Sequence, residues 1–209
     1  MIPGSSPGDP PVKETPEPTA RLVVGLGNPG PEYQGTRHNV GFGALDLLAS
    51  RLGAEPAILK VAGQRLGRLY RSPDGRFGLL WPLTYMNLSG GPVARALERL
   101  EGEPASLFVL TDDFNLDLGA LRARPGGSPG GHNGLKSIEK VLGTSDYARL
   151  RIGVGDPGHD SVEFVLSRFK RAEQERVEET LETASFAAED WIRGATIEQI
   201  AARYNRRSP

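Results

Sequence analysis

Cysteine is absent from the 209 residues, which removes disulfide scaffolds, thiolate zinc sites, iron–sulfur clusters and cysteine nucleophiles. Histidine is scarce. His38, His132 and His159 lie far apart without a metal-ligand spacing, so no metal site is expected. No apolar run approaches the roughly 18 residues of a membrane span, so no membrane partner is expected. The opening MIPGSSPGDPPVKETPEP has neither a basic nor an apolar leader segment, so it is not read as a secretory signal, and a cytoplasmic location is expected. Charge of one sign is lacking too, at net −1.

What is present fits one domain. Hydrophobic residues make up 38% and charged residues 24%, and 27 Gly with 17 Pro promise shaped loops. Residues 1–20 are rich in Pro, Gly, Ser and Thr, and are expected to form a disordered tail before a domain at 21–209. From Leu121 to Arg151 the net charge is +4, whereas Asp160 to Asp190 carries nine acids against four bases. Two faces of opposite sign are expected.

Apolar periodicity predicts strands at Arg21 to Gly25, Arg65 to Tyr70, Phe77 to Trp81, Leu107 to Leu110, Leu118 to Arg124 and Arg149 to Val154. Helices are predicted at Asn39 to Leu52, Pro92 to Leu100 and Leu135 to Leu142, and through a C-terminal third broken near Gly194. This alternation predicts an α/β fold, a single domain with a mixed, mostly parallel sheet packed between α-helices.

Gly25, Gly27 and Gly30 satisfy G-x-G-x-x-G after a strand, the pattern of a dinucleotide-binding turn. The context argues against it. Pro29 and Pro31 interrupt the turn and delay the helix, and the acid expected about 20 residues on is Asp46, inside the first helix. The loop instead carries Asn28, Tyr33, Arg37, His38 and Asn39 beyond the end of a strand, where open α/β sheets place ligands. A lone His at a helix start is more often a cap or a solvated group. As a base near neutral pH it needs a carboxylate to orient it.

Asp112 ends the apolar strand SLFVLTDD and is expected to emerge at a sheet edge, able to hold an imidazole tautomer. For Asp112 and Asp113 a solvated loop or a Mg²⁺ site is the bland alternative. Asn87 and Asn133 each precede a helix and could cap it. A carboxamide is also what an oxyanion hole uses, since it donates without titrating. Together these residues suit acyl chemistry on water. With neither Cys nor a G-x-S-x-G elbow, direct attack by a water deprotonated by His38 is the economical mechanism. A positioned base supplies about 10²–10⁴ in rate and one oxyanion donor about 10²–10³.

GLGNPGPEYQGTRHNVGF, TYMNLSG, the strand ending in Asp112, GGHNGLKSI and YARLRIGVGDPG, in that order, resemble the bacterial peptidyl-tRNA hydrolases. The likeness runs from about Arg21 to the C-terminus and leaves out the tail. It implies a monomer with a twisted mixed sheet between helices. Such an enzyme would cleave the ester between peptide and the tRNA 3′-terminal ribose, recycling tRNA released prematurely from ribosomes, with no cofactor and no metal. Position by position it implies His38 as base, Asp112 as its partner, and Asn28, Asn87 and Asn133 as substrate and transition-state amides. Tyr33, Met86 and His132 would neighbour them. Arg124 and Arg151 would grip the 5′ phosphate of the acceptor stem, which agrees with the +4 segment; no DNA partner is implied. Lys136, Arg203, Arg206 and Arg207 are weaker tRNA-binding candidates.

The chain departs from the family at Asp113, Phe114 and Asn115, where relatives tend to Glu-Leu-Asp, and at Ser128 and Pro129 in the glycine loop. The alternatives are a non-catalytic RNA-binding relative, which would lack the base and its partners, and a nicotinamide-dependent oxidoreductase built on the glycine turn.

Overall fold

The computed structural model describes residues 19–158 and 160–205. Most of the expected tail, His159, Arg206 and Arg207 therefore lie outside the described residues. Within the former tail, Ala20 is buried beside the first strand.

Seven strands form one sheet: β1 (Arg21–Gly25), β2 (Ala57–Val61), β3 (Gln64–Arg71), β4 (Phe77–Pro82), β5 (Leu107–Asp113), β6 (Leu121–Arg124) and β7 (Ala148–Gly153). Their spatial order is β2-β3-β4-β1-β5-β7-β6. The central strands β4, β1, β5 and β7 run parallel, and antiparallel partners close both flanks. β5 is buried at every position because strands and helices cover it on all sides, which explains its unbroken apolar run.

Helices α1 (Val40–Leu52), α5 (Gln174–Ile192) and α6 (Ile197–Tyr204) cover one face, whose core includes Leu45, Leu48, Phe108, Leu150 and Trp191. Helices α2 (Gly90–Leu100) and α3 (Asn133–Leu142) cover the other, over Leu22, Val24, Leu80, Val109 and Leu135. A short α4 (Ser161–Leu166) precedes α5. Among the described residues no helix is long and apolar enough to cross a membrane.

The predicted elements are all present, with one addition. β2 was not expected, since only Leu59 of its residues is buried and an edge strand gives little alternation to read. It pairs with β3 through a tight turn at Ala62 and Gly63, both at positive φ. The expected strand at Leu118 to Arg124 is shorter, because a turn at Asp117 to Ala120 precedes β6.

The glycine turn serves packing. A methyl built on Gly41 would stand 2.5 Å from the Leu110 carbonyl oxygen, and one on Gly25 would collide with the Gly41 backbone. The bare backbones let the start of α1 lie directly on the ends of β1 and β5. This seats the 3₁₀ turn at Arg37–Asn39, and with it His38, above Asp112. Arg37 anchors that turn from below. Buried between Phe164 and Phe169, it donates to the Val154 carbonyl at 2.9 Å and to both Glu173 carboxylate oxygens at 3.0 and 2.8 Å.

Candidate active site

The C-terminal ends of β1 and β5 meet the N-terminal ends of α1 and α3, where open α/β sheets place ligands. Asp112 is the floor. It leaves a central strand rather than the sheet edge that was expected, and both it and Asp113 belong to β5 rather than to a solvated loop. Burial alone would push its carboxyl up. The imidazoles of His132 and His38 outweigh that and hold it well below the usual carboxylate range.

Both rings reach the same oxygen. His38 Nδ1 and His132 Nε2 each lie 2.9 Å from Asp112 Oδ1, and the ring centroids are 5.0 Å apart. Among the described residues His38 Nε2 has no hydrogen-bond partner. With the ionised carboxylate accepting at Nδ1, the neutral ring carries its lone pair at Nε2, the state a general base requires. The sequence separation of the histidines had argued only against a metal site; the fold brings His38 and His132 together with Asp112, their nitrogen and oxygen atoms within 4.8 Å of one another, and His132 is the neighbour that the resemblance implied. Hydrogen bonding accounts for this cluster, since each nitrogen facing Asp112 is at donor distance.

Asn28, buried at 8% exposure, is joined through Asn39 to the turn that carries His38. Its Oδ1 accepts the Met86 N–H at 2.9 Å, which turns its Nδ2 outward as a donor without a partner among the described residues. Asn39 fixes the Asn28 backbone from both sides at 2.9 Å. Asn28 and Asn39 also border a cleft of about 750 Å³ whose apolar wall includes Phe42, Leu83, Phe169 and Leu181. Met86, buried, follows the exposed Tyr85 and precedes Asn87 in a 3₁₀ turn, and its bond to Asn28 anchors that turn.

Neither Asn87 nor Asn133 caps a helix. Asn87 is exposed and makes no side-chain hydrogen bond among the described residues. Asn133 is the first residue of α3 and exposed, and the cap is His132, whose Nδ1 accepts from the Gly134 and Leu135 N–H groups at 3.1 and 3.3 Å. Both carboxamides are thus left to solvent. Tyr33, half-buried, lies in the turn before His38.

The basic residues collect on the face of the sheet that bears α3. Arg124 is exposed on β6, and Arg151 on β7 is its diagonal neighbour. Directly opposite Arg151 stands Arg122, an exposed residue that the motif reading passed over. Arg151 Nε lies 2.9 Å from Asp113 Oδ2, a close ion pair rather than an aligned hydrogen bond. Arg149, also in the basic segment, is buried against Tyr147 and Glu139 and is unavailable to a ligand. Lys136 is exposed on α3, and Arg203 is occupied with Asp190.

The family model for peptidyl-tRNA hydrolase matches residues 22–209. The chain belongs to the peptidyl-tRNA hydrolase family. It is 47% identical over 175 residues to the peptidyl-tRNA hydrolase of Nocardia farcinica, covering 82% of this chain and 90% of that protein. A Synechococcus peptidyl-tRNA hydrolase is 50% identical over 171 residues, covering 77% and 81%. The crystal structure of peptidyl-tRNA hydrolase from Acinetobacter baumannii superimposes with a TM-score of 0.79 at 31% identity, covering 92% of this chain and 97% of that one. The fold expected from the alternation of elements is thus also the fold of the family, and the nicotinamide reading of the glycine turn falls away.

Proposed function

We propose that this protein hydrolyses the ester between a peptide and the 3′-terminal ribose of tRNA, with His38 as general base. The observation that carries this reading is the free Nε2 of His38 opposite an Nδ1 held by Asp112. In the reaction His38 Nε2 takes a proton from water as the oxygen attacks the ester carbonyl. The imidazolium that forms is stabilised by the ionised Asp112 below it. Negative charge on the carbonyl oxygen is met by carboxamide N–H donors, for which Asn28, Asn87 and Asn133 are the candidates. The carbonyl–ribose bond then breaks, and the proton on His38 passes to the departing ribose oxygen. Atoms and charge balance without a cofactor or metal.

The acyl group would occupy the cleft bordered by Asn28 and Asn39; Tyr33, Met86 and His132, which do not line that cleft, remain candidates for contacts at the ester itself. The acceptor stem would lie along the basic face, its 5′ phosphate between Arg124 and Arg151 with Arg122 beside them and Lys136 further out. Guanidinium groups suit phosphate through paired donors. The domain is proposed to act as a cytoplasmic monomer, with the segment before β1 as a tail.

The test is hydrolysis of N-blocked aminoacyl-tRNA beside the unblocked form, in the presence of EDTA. The blocked substrate is expected to turn over and the unblocked one to persist. His38→Ala should lower kcat by about 10²–10⁴ while leaving tRNA affinity nearly intact; undiminished turnover would remove His38 as the base.

A further inference from the structure

His132 makes two contacts that together fix its protonation. Its Nδ1 accepts from two backbone N–H groups at the start of α3, so it cannot carry a proton there. The neutral ring must then be protonated at Nε2, the atom 2.9 Å from Asp112 Oδ1. A helix cap on one edge of the ring therefore dictates a donor on the other.

We infer that His132 is a positioning residue for the hydrolysis: it locks Asp112 as a carboxylate that accepts two N–H groups on one oxygen, and ties that carboxylate to the helix that carries Asn133. This rests on His38 being the base. Asp112 Oδ1 divides its acceptor strength between the two rings, so the carboxylate that orients His38 is itself held by the N–H of His132. The same ring sets where α3 begins. Asn133 follows His132 directly, so the carboxamide and the base are referred to one carboxylate. A methyl on Gly134 would meet Met86 Sδ and His132 Cε1 at 2.6 and 3.0 Å, which shows how closely the cap is packed against the Met86 turn.

Among the described residues the titratable groups set against His132 are Asp112 from β5 and His38 from the turn before α1. Asp113, the next residue of β5, is directed by strand alternation to the opposite side and paired with Arg151. On α3 itself, Lys136 meets His132 only through its backbone N–H, which donates to the His132 carbonyl at 3.1 Å.

Two variants separate the cap from the carboxylate contact. Asparagine at a helix start supplies an accepting oxygen where Nδ1 now sits, but is too short to reach Asp112. His132→Asn is therefore expected to keep the wild-type Tm within about two degrees, whereas His132→Ala loses a cap and falls by several. In both variants kcat should drop on the order of tenfold, the effect of one charge-assisted hydrogen bond. The acid limb of kcat/KM should move to higher pH by about half a unit or more, because Asp112 now acts on His38 alone.

Imidazole ¹⁵N NMR of the substrate-free wild type reads the tautomer directly, with His132 expected as the Nε2–H form. A His132 signal of the Nδ1–H form, or an unmoved acid limb in His132→Asn, would overturn the inference. The tautomer and the Tm split need no turnover. Undiminished turnover in His38→Ala would thus count against the base assignment and leave these two results standing.

Discussion

Asn39 holds Asn28 through the main chain: its Oδ1 accepts the Asn28 N–H and its Nδ2 donates to the Asn28 carbonyl, both at 2.9 Å. The pair acts as a backbone bridge closing the loop that starts after β1. It fixes the turn on which the Asn28 carboxamide is mounted, and that carboxamide is further set by the Met86 N–H.

Asn39→Ala removes both bonds and leaves Asn28 on a slack turn. Because Asn39 is half-buried, its loss is expected to cost about 1–3 kcal/mol of stability. The larger effect should fall on turnover. A misplacement of the Asn28 amide by a fraction of an ångström weakens a donor required only in the transition state, so kcat should fall about tenfold or more with KM less affected. Steady-state kinetics beside a urea titration separate the two losses. A wild-type kcat in a destabilised variant would show that Asn39 serves the fold alone.

Stability should decline on the acid side in a defined window. Burial pushes the Glu173 carboxyl up, but the hydrogen bonds from Arg37 and from the Lys170 N–H, together with the positive charges of both residues, outweigh it and leave the group below its ordinary 4.5. Asp112 is likewise held below its ordinary 3.8. A group depressed on folding contributes stability that is fully present above its unfolded value and is lost as pH falls through the folded one. Tm is therefore expected to hold above about pH 5 and to drop progressively below pH 4.5. Glu173→Gln should flatten part of that decline. An equal acid slope in the variant would mean that the Arg37–Glu173 pair takes no part in it.

Much of the fold was legible because its signals are local. The buried central strands give apolar runs, and the chain alternates strand and helix at lengths that only an α/β arrangement accommodates. β2 escaped because an edge strand with one buried side chain has no pattern to show. The site was legible in part. His38, Asp112 and Asn28 lie at strand ends or helix starts that the sequence marks; His38 and Asp112 meet directly, and Asn28 is joined to the turn of His38 through Asn39. His132 was placed only as a neighbour, because direct contact with Asp112 depends on how α3 is set against β5, a tertiary fact. Arg122 was missed for a similar reason: its pairing with Arg151 is a matter of cross-strand register. The G-x-G-x-x-G pattern misled in the opposite sense, since Gly25 is required by a helix pressing on the strand end rather than by a ligand.

The basic face makes a prediction in salt. If Arg122, Arg124 and Arg151 each neutralise a phosphate, changing any one to Ala should weaken tRNA binding. It should also reduce the magnitude of the log–log salt slope by about 0.7 to 0.9. Arg149→Ala is the contrast. That side chain is buried against Tyr147 and Glu139, so its loss should lower Tm and leave the slope unchanged in protein that remains folded. Filter binding of uncharged tRNA across a range of KCl measures all four. Equal slopes for wild type and the exposed variants would place the acceptor stem elsewhere.

Asp112→Asn tests the charge of the carboxylate apart from its shape. Both rings approach the same oxygen, so a carboxamide whose oxygen occupies that position can accept both N–H groups and leave the geometry nearly intact. What disappears is the negative charge that stabilises the imidazolium formed on His38 as water loses its proton. Turnover should therefore fall by about 10²–10³, yet stay above that of His38→Ala, where the base itself is gone. Without the charge His38 binds a proton less readily, so the acid limb of kcat/KM should move to lower pH. That is the reverse of the displacement expected for His132→Asn, where the carboxylate survives and acts on His38 undivided. Opposite displacements in the two variants would identify Asp112 as the group through which His132 acts. A common direction would mean that the two substitutions disturb the site by some other route.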